Sequence, residues 1–143
     1  MPRPRTRKLG IQLSDRRKAL KRIEKHLDAL CRRLVVEIRD RNTCQRCGAT
    51  AARSKIDWSH VVTRGAKTAR WAPWNSKALC AGCHQWWGSH PKQAWEWFEG
   101  RFPERALNVR AWEHERRRPK IDHQLIRLFL ESELTNSGIE SDT

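Results

Sequence analysis

The sequence predicts an α+β protein, in which a small core with two short strands and two cysteine pairs lies between a long N-terminal helix and C-terminal helices. Apolar residues recur at steps of three and four over residues 14–40, which is the period of an amphipathic helix. Residues 42–84 instead contain short β-type pieces and two Cys-x-x-Cys pairs. Helical periodicity returns after Pro91, so we expect helices on both sides of the cysteine-rich core.

Composition and charge restrict the size of the protein and the nature of its partner. The chain has 143 residues, which is enough for a single compact domain and too few for a pair of full ones. Thirty Lys and Arg against sixteen Asp and Glu give a formal net charge of +14. Such a surface repels itself unless it binds a polyanion. We therefore expect a nucleic acid as the partner.

The sequence contains no segment typical of membrane or secreted proteins. No stretch approaches eighteen continuous apolar residues, and the basic N-terminus is not followed by an apolar run. The five cysteines are an odd number, and two Cys-x-x-Cys pairs are typical of metal ligands kept reduced inside the cell. We expect no membrane association and a soluble, cytoplasmic protein.

Shifts in composition divide the chain into five segments. A basic stretch with Pro and Gly is expected to form a flexible arm over residues 1–13, and a polar tail is expected to be disordered over residues 135–143. The long helix occupies residues 14–41, the cysteine-rich core residues 42–100, and a C-terminal helical extension residues 101–134.

The long helix carries one apolar stripe among Lys and Arg residues. The stripe consists of Leu20, Ile23, Leu27, Leu30, Leu34 and Ile38. An apolar stripe has to pack against another apolar surface. It either docks on the rest of the domain or pairs with its own copy in a homodimer, because steps of three and four also resemble a coiled-coil seam. The sequence does not choose between these two interpretations.

The core and the C-terminal part contain shorter predicted elements. Residues 55–62 have the β-branched and aromatic content of a strand, and residues 77–79 predict a short second strand. The connection over residues 66–75 is expected to be a loop. Helices are predicted over residues 91–99 and 122–134.

Two cysteine pairs, Cys44 with Cys47 and Cys80 with Cys83, predict a structural zinc site. A spacing of two residues lets paired thiolates point at one tetrahedral ion, and two pairs supply four ligands. Four sulfur ligands leave no position for water, so this Zn²⁺ would contribute folding energy rather than chemistry. By itself the pattern fits a zinc ribbon that only binds nucleic acid equally well. Cys31, the fifth cysteine, is predicted to be a small buried hydrophobe.

The residues between and beside the cysteine pairs resemble a known family of nucleases. The string DWSH at residues 57–60, then Asn75, then CAGCH at residues 80–84 is similar to the HNH, or ββα-metal, motif in its zinc-containing form. The chain also resembles phage recombination endonucleases of the Rap/NinG type and, more distantly, the endonuclease VII family. The likeness covers roughly residues 39–98. It implies a core in which a hairpin and a helix hold one divalent ion.

The resemblance implies a role for each of several polar residues. His60 corresponds to the base that takes a proton from water, and Asn75 to the residue that positions this histidine or the connecting loop. His84 corresponds to a ligand of a catalytic Mg²⁺ or Mn²⁺ ion. Ser59 stands where many family members carry another metal ligand, so Asp57 is expected to replace it. In a regular strand Asp57 and His60 face opposite sides, and they converge only if the strand bends or bulges.

Three cations of the connecting loop, Arg64, Lys67 and Arg70, are expected to bind phosphates of DNA. Contacts of this kind fix the position of the nucleic acid without reading its sequence. Tryptophans crowd the same part of the chain, and we expect them to complete a small core. Stacking on unpaired bases is the alternative interpretation of these tryptophans.

The residues and the resemblance together imply an endonuclease that hydrolyses phosphodiester bonds of DNA with a divalent ion. Branched (Holliday) junctions are one expected substrate, and paired cuts in a junction would call for a homodimer formed through the N-terminal helix. The alternative is a non-catalytic, zinc-stabilised protein that binds DNA or assists its packaging. Both interpretations predict DNA binding that weakens steeply with salt.

Overall fold

The computed structural model of the protein describes residues 3–115 and 117–141. Its helices and strands are, in chain order, α1 (Arg3–Arg32), β1 (Ile56–His60), α2 (Lys67–Arg70), β2 (Ser76–Cys80), α3 (Ala81–Ser89), α4 (Pro91–Arg101), α5 (Pro103–His114) and α6 (His123–Ser141). The α+β class is confirmed, because helices surround a two-stranded antiparallel sheet. Within the described ranges, no helix combines the length and apolar character needed to cross a bilayer.

Both ends of the chain are helical where the sequence predicted irregular structure. α1 already begins at Arg3, inside the expected flexible arm of residues 1–13, and α6 continues to Ser141, through most of the expected disordered tail of residues 135–143. The other residues of these two predictions lie outside the described ranges. Pro4 fits in a first helical turn, and each residue added to an existing helix gains a hydrogen bond without new nucleation.

The stripe of α1 docks inside the same chain over its C-terminal half. Leu27 and Leu34 are buried, and so is the Cys31 thiol, as predicted for a small hydrophobe. α6 packs along α1 and contributes Leu130 to the shared core. Ile23 is 45% exposed, so the N-terminal half of the stripe lacks this cover. The docking interpretation therefore holds for the C-terminal half, and dimerisation stays a prediction for the other half.

A π-helix follows directly after the last residue of α1. The chain continues as a π-helix over Arg33–Arg39, which contributes the buried Val35 and Val36 to the core. Asp40 follows it, and its Oδ2 accepts a hydrogen bond from the backbone N–H of Ala78 at 2.8 Å. This contact attaches the end of the helical path to β2. The π-helix therefore brings the first cysteine pair to the hairpin.

β1 and β2 form a hairpin without a bulge. Five consecutive pairs run from Ile56 opposite Cys80 to His60 opposite Ser76. Because side chains alternate along a strand, Asp57 lies on one face of the hairpin and His60 on the other. The connection predicted as a loop over residues 66–75 contains α2 and a 3₁₀ turn. α3 starts directly after β2, so the chain forms a β-β-α unit.

Two carboxylates of α1, Glu24 and Asp28, hold this connection in place. Arg70 donates to Asp28 at 2.6 and 2.9 Å and to Glu24 at 3.0 Å, and Trp71 Nε1 donates to Asp28 at 2.8 Å. Burial would raise the pKa of the Asp28 carboxyl, but the hydrogen bonds from Arg70 and Trp71 outweigh it and lower that pKa. The ion pairs of Arg70 with Glu24 and Asp28 therefore stabilise the folded state.

Asp28→Asn should lower the free energy of unfolding by about 2–4 kcal/mol, because it breaks a mostly buried ion pair and leaves the Arg70 guanidinium with fewer acceptors. Glu37→Gln is the matched control, since Glu37 forms only exposed pairs at 3.9 Å with Arg32 and Arg33. Its cost should stay below about 0.5 kcal/mol. Urea unfolding followed by tryptophan fluorescence measures both variants, and equal losses would contradict the role given to Asp28.

Candidate functional site

Four cysteines lie close enough together to hold a metal ion such as zinc. The sulfur atoms of Cys44, Cys47, Cys80 and Cys83 all lie within 4.8 Å of one another, and Cys47 Sγ is 3.7 Å from Cys80 Sγ. Four sulfurs at about 2.3 Å from a tetrahedral zinc lie about 3.8 Å apart, whereas a disulfide needs about 2.0 Å. The cluster therefore fits the predicted zinc ion and does not fit disulfides.

Local backbone geometry aims these sulfurs at one another. Gly48 adopts a φ of +80° and donates its N–H to the Cys44 carbonyl at 2.9 Å, which reverses the chain just after Cys47. Cys80 caps α3, because its Sγ accepts a hydrogen bond from the Cys83 N–H at 3.4 Å. Burial would raise the pKa of the Cys44 thiol, yet backbone hydrogen bonds to its sulfur outweigh burial and lower that pKa to about 7.

The cluster fixes the first turn of α3 and with it the side chain of His84. His84 Nδ1 lies 3.1 Å from Asp57 Oδ2 of β1, so the structure brings together the two residues expected to bind the catalytic ion. Neighbouring ligands of an octahedral ion, at about 2.1 Å from it, are about 3.0 Å apart. The 3.1 Å separation is a hydrogen-bond distance, and it is also about the spacing of two neighbouring ligands of one ion.

The Asp57–His84 pair borders an open cleft of about 450 Å³. The other residues that line the cleft are Asp28, Ala29 and Arg32 of α1, together with Lys55, Trp58 and Arg64. Lys55 Nζ lies 3.6 Å from Asp57 Oδ1. The cleft therefore combines a carboxylate–imidazole pair with three cationic side chains. No local sequence pattern predicted that α1 would form one wall of the cleft, because the contact joins segments about thirty residues apart.

His60, the predicted base, is held by a backbone carbonyl. Its Nε2 lies 3.1 Å from the carbonyl oxygen of Arg70. Because a carbonyl only accepts, Nε2 carries the proton and Nδ1 carries the lone pair. Burial lowers the pKa of His60 to about 4, and the charges of Arg64 and Lys77 act in the same direction. The ring is therefore a neutral proton acceptor at pH 7.

The structure does not place His60 in one cluster with Asp57 and His84. The bulge that would let Asp57 and His60 converge is absent from the paired strands. Across the part of the chain that the structure describes, no hydrogen bond links His60 to either residue of the pair. Trp58 lines the cleft, and its ring centroid is 4.2 Å from that of His60. His60 is therefore adjacent to the cleft without lining it.

Asn75 is fully buried and holds the connection between the strands. Its Oδ1 accepts from the Val62 N–H at 2.7 Å, while its Nδ2 donates to the carbonyls of Val62 at 3.1 Å and Ala69 at 3.0 Å. Ala69 directly precedes Arg70, the residue whose carbonyl holds His60. This geometry suits the positioning role that the resemblance implied for Asn75.

The three loop cations expected to bind phosphate are all paired with carboxylates of α1. Arg64 lies 2.6 Å from Asp28, Lys67 lies 3.1 Å from Glu24, and Arg70 pairs with both. The Arg70 side chain is only 15% exposed and supports the fold through these pairs, while its contact with DNA stays a prediction. The sequence did not reveal these pairs because the carboxylates lie about forty residues earlier in the chain.

A buried lysine beneath the hairpin was also missed. Lys77 is fully buried, and its Nζ lies 3.0 Å from Ser59 Oγ, 3.5 Å from the His60 carbonyl and 3.2 Å from the ring centroid of Trp87. Burial lowers the pKa of Lys77 well below its usual value. The contacts fix the last two residues of β1. Lysine is rarely fully buried, so the sequence favoured an exposed position.

Cys47→Ala should remove the metal and with it cooperative unfolding, because three sulfurs bind zinc far more weakly than four and the small hairpin depends on the ion. Elemental analysis of the purified protein measures zinc per chain. Cys31→Ala is the control, since Cys31 lies outside the four-sulfur cluster. It should keep its zinc and lose only about 1 kcal/mol through a small cavity. Full zinc content in Cys47→Ala would contradict the assignment.

His60 should make the protein less stable as the pH falls below neutrality. Its pKa is about 4 when folded against 6.5 ordinarily, so the unfolded chain binds the proton first and the free energy of unfolding decreases between about pH 6.5 and 4. His60→Gln should flatten this slope, and His114→Gln, which changes an exposed histidine of α5, should not. Denaturation at pH 5 to 8 measures the slopes. Identical slopes in both variants would be inconsistent with the lowered pKa.

The site thus consists of a four-sulfur cluster, a carboxylate–imidazole pair in a cationic cleft, and a neutral imidazole next to that cleft. A carboxylate oxygen and an imidazole nitrogen together suit divalent ions, and a neutral imidazole suits proton transfer. No protein-family model, no curated protein and no solved structure matches the chain.

Proposed function

We propose that this protein is a metal-dependent endonuclease of the HNH type that hydrolyses phosphodiester bonds of DNA. The observation that supports this most is the approach of His84 Nδ1 to Asp57 Oδ2 at 3.1 Å, in a cleft bordered by a β-β-α unit. The resemblance of residues 57–84 to the HNH motif points to the same chemistry. The net charge of +14 favours a polyanionic substrate.

Asp57 and His84 are the residues that would hold the catalytic ion. A carboxylate oxygen suits both Mg²⁺ and Mn²⁺, and an imidazole nitrogen favours Mn²⁺ of the two. When bound, such an ion stabilises the charge that develops on the scissile phosphate. His84 has to present an unprotonated Nδ1 in this role, and its position directly after Cys83 keeps the ring aimed at β1.

His60 acts as the general base in this proposal. The Arg70 carbonyl holds the proton on Nε2, so that Nδ1 accepts a proton from the attacking water. Asn75 holds the connection that carries this carbonyl, and the pairs of Arg70 with α1 hold it from the other side. A base with a pKa of about 4 is fully available at pH 7, although it is a weak one.

The second candidate is a zinc-stabilised DNA-binding protein without catalysis. One observation favours it, namely that His60 lies on the face of the hairpin opposite Asp57 and does not line the cleft. Both candidates use the same four-sulfur cluster and the same basic surface. The two candidates differ only in catalysis: the first requires a water molecule next to the Asp57–His84 pair to be deprotonated, and the second does not.

Branched DNA and a homodimer extend the first candidate. A junction needs two symmetric cuts and therefore two active sites. Leu13 and Ile23 of α1 are exposed, which supports this stretch of the helix as the contact between two copies. From Leu27 to Leu34 the stripe is already packed in the core with Leu130 of α6.

Wild-type protein with Mg²⁺ or Mn²⁺ should cut DNA, and a four-way junction beside a matched linear duplex tests the preferred form. Asp57→Asn and His60→Ala should each lower the cleavage rate by about 10²–10⁴-fold, because one weakens ion binding and the other removes the base. His114→Ala and Asp15→Asn, which change exposed residues of α5 and α1, are the matched controls and should keep full activity.

Zinc content and DNA affinity are measured in parallel for every variant. His60→Ala should keep both, so that a lost rate reports on chemistry. Binding by the wild type without cleavage of linear, supercoiled or junction DNA would contradict the nuclease and favour the non-catalytic protein. Full activity of Asp57→Asn would remove the proposed ion site.

A further inference from the structure

We propose that Arg32, Lys55 and Arg64 form a clamp that binds a phosphodiester of the DNA strand beside the Asp57–His84 pair. This inference deepens the proposed function and rests on it for the identity of the ligand. Arg32 belongs to α1, which lies outside the residues that resemble the HNH motif. All three side chains line the same cleft as the Asp57–His84 pair.

Arg32 is anchored at the cleft with donors to spare. Its Nη2 donates to the Ile56 carbonyl of β1 at 3.4 Å, and its side chain remains 43% exposed. Its contact with Glu37 is 3.9 Å long and lies at the surface, so it binds the guanidinium weakly. A guanidinium has five N–H donors in a planar fork that matches two phosphate oxygens. Arg32 is therefore held in position and still able to bind an anion.

Lys55 lies on the other side of the pair. Its side chain is 82% exposed, and its Nζ is 3.6 Å from Asp57 Oδ1. This separation is too long for a strong hydrogen bond. A divalent ion on Asp57 would repel the ammonium group, which then turns to the nearest anion. A phosphate bound next to the ion is such an anion.

Arg64 can exchange its carboxylate for a phosphate at little cost to the fold. It pairs with Asp28 at 2.6 Å, but its side chain is 56% exposed. Asp28 also accepts two hydrogen bonds from Arg70 and one from Trp71. If Arg64 leaves, Asp28 keeps these three donors and no buried carboxylate is left unsatisfied. This separates Arg64 from Arg70, whose pairs with α1 are buried.

The charges of the cleft make this clamp necessary for an anionic substrate. Asp28 and Asp57 both line the cleft, and two carboxylates alone repel a phosphate. Three cations around them reverse the sign of the field, and a divalent ion on the Asp57–His84 pair makes the cleft more positive still. A phosphate in the cleft is therefore contacted by cations from three segments: Arg32 of α1, Lys55 just before β1, and Arg64 of the loop after β1.

Arg32→Ala against Arg33→Ala tests the clamp. Both arginines lie next to each other, both lie 3.9 Å from Glu37, and both are exposed, with Arg33 at 66%. Only Arg32 lines the cleft. Binding of a fluorescently labelled DNA duplex is measured by anisotropy at several salt concentrations, without added Mg²⁺ or Mn²⁺. Arg32→Ala should weaken binding about fivefold and lower the salt slope by about one, whereas Arg33→Ala should change neither.

Lys55→Ala against Arg53→Ala is a second matched pair, because Arg53 is an exposed cation two residues away that does not line the cleft. Thermal unfolding checks that all four variants fold alike. Equal weakening within each pair overturns the clamp, even if the wild type cuts DNA. A difference within each pair supports the clamp, even if the wild type cuts no DNA, in which case the cleft binds phosphate without chemistry.

Discussion

Four cysteine sulfurs that lie close enough together to hold one metal ion join the start of α3 to the chain before the hairpin, and the candidate site depends on the direction of that helix. A hairpin of two strands is at best marginally stable in water, and among the residues that the structure describes no third strand joins it. The cluster joins the chain after the π-helix to the junction of β2 and α3. His84 follows the last of these cysteines, so the cluster that joins these segments also directs the imidazole towards Asp57.

α1 supplies the second support, and it acts on the other face of the hairpin. Glu24 and Asp28 hold the Arg70 side chain, while the carbonyl of the same residue holds His60. The orientation of the predicted base therefore depends on a helix far earlier in the chain. The same helix also walls the cleft with Arg32. One element thus couples the tautomer of His60 to the shape of the cleft.

What the sequence predicted and what it missed follow from the range of each interaction. The four cysteines were predictable because metal ligands carry strict local spacing, whereas the approach of Asp57 to His84 was expected only from the resemblance to the HNH motif. The pairing of Arg70 with α1 joins residues more than forty positions apart, and no local pattern reports it. Lys77 lies in a short strand, and the sequence does not indicate which face of the strand its side chain occupies. Its burial depends on the contact with Trp87. The helical ends were missed because composition describes propensity, whereas extending an existing helix needs no new nucleation.

In the proposed function the Asp57–His84 pair binds a divalent ion separate from the zinc of the four cysteines. Anomalous X-ray scattering from crystals soaked in MnCl₂, recorded at the manganese and zinc absorption edges, tests this binding. We expect a manganese peak within about 2.3 Å of both Asp57 Oδ2 and His84 Nδ1, and a zinc peak among the four sulfurs. A zinc peak with no manganese at the pair, while Asp57 and His84 keep their hydrogen bond, would contradict it.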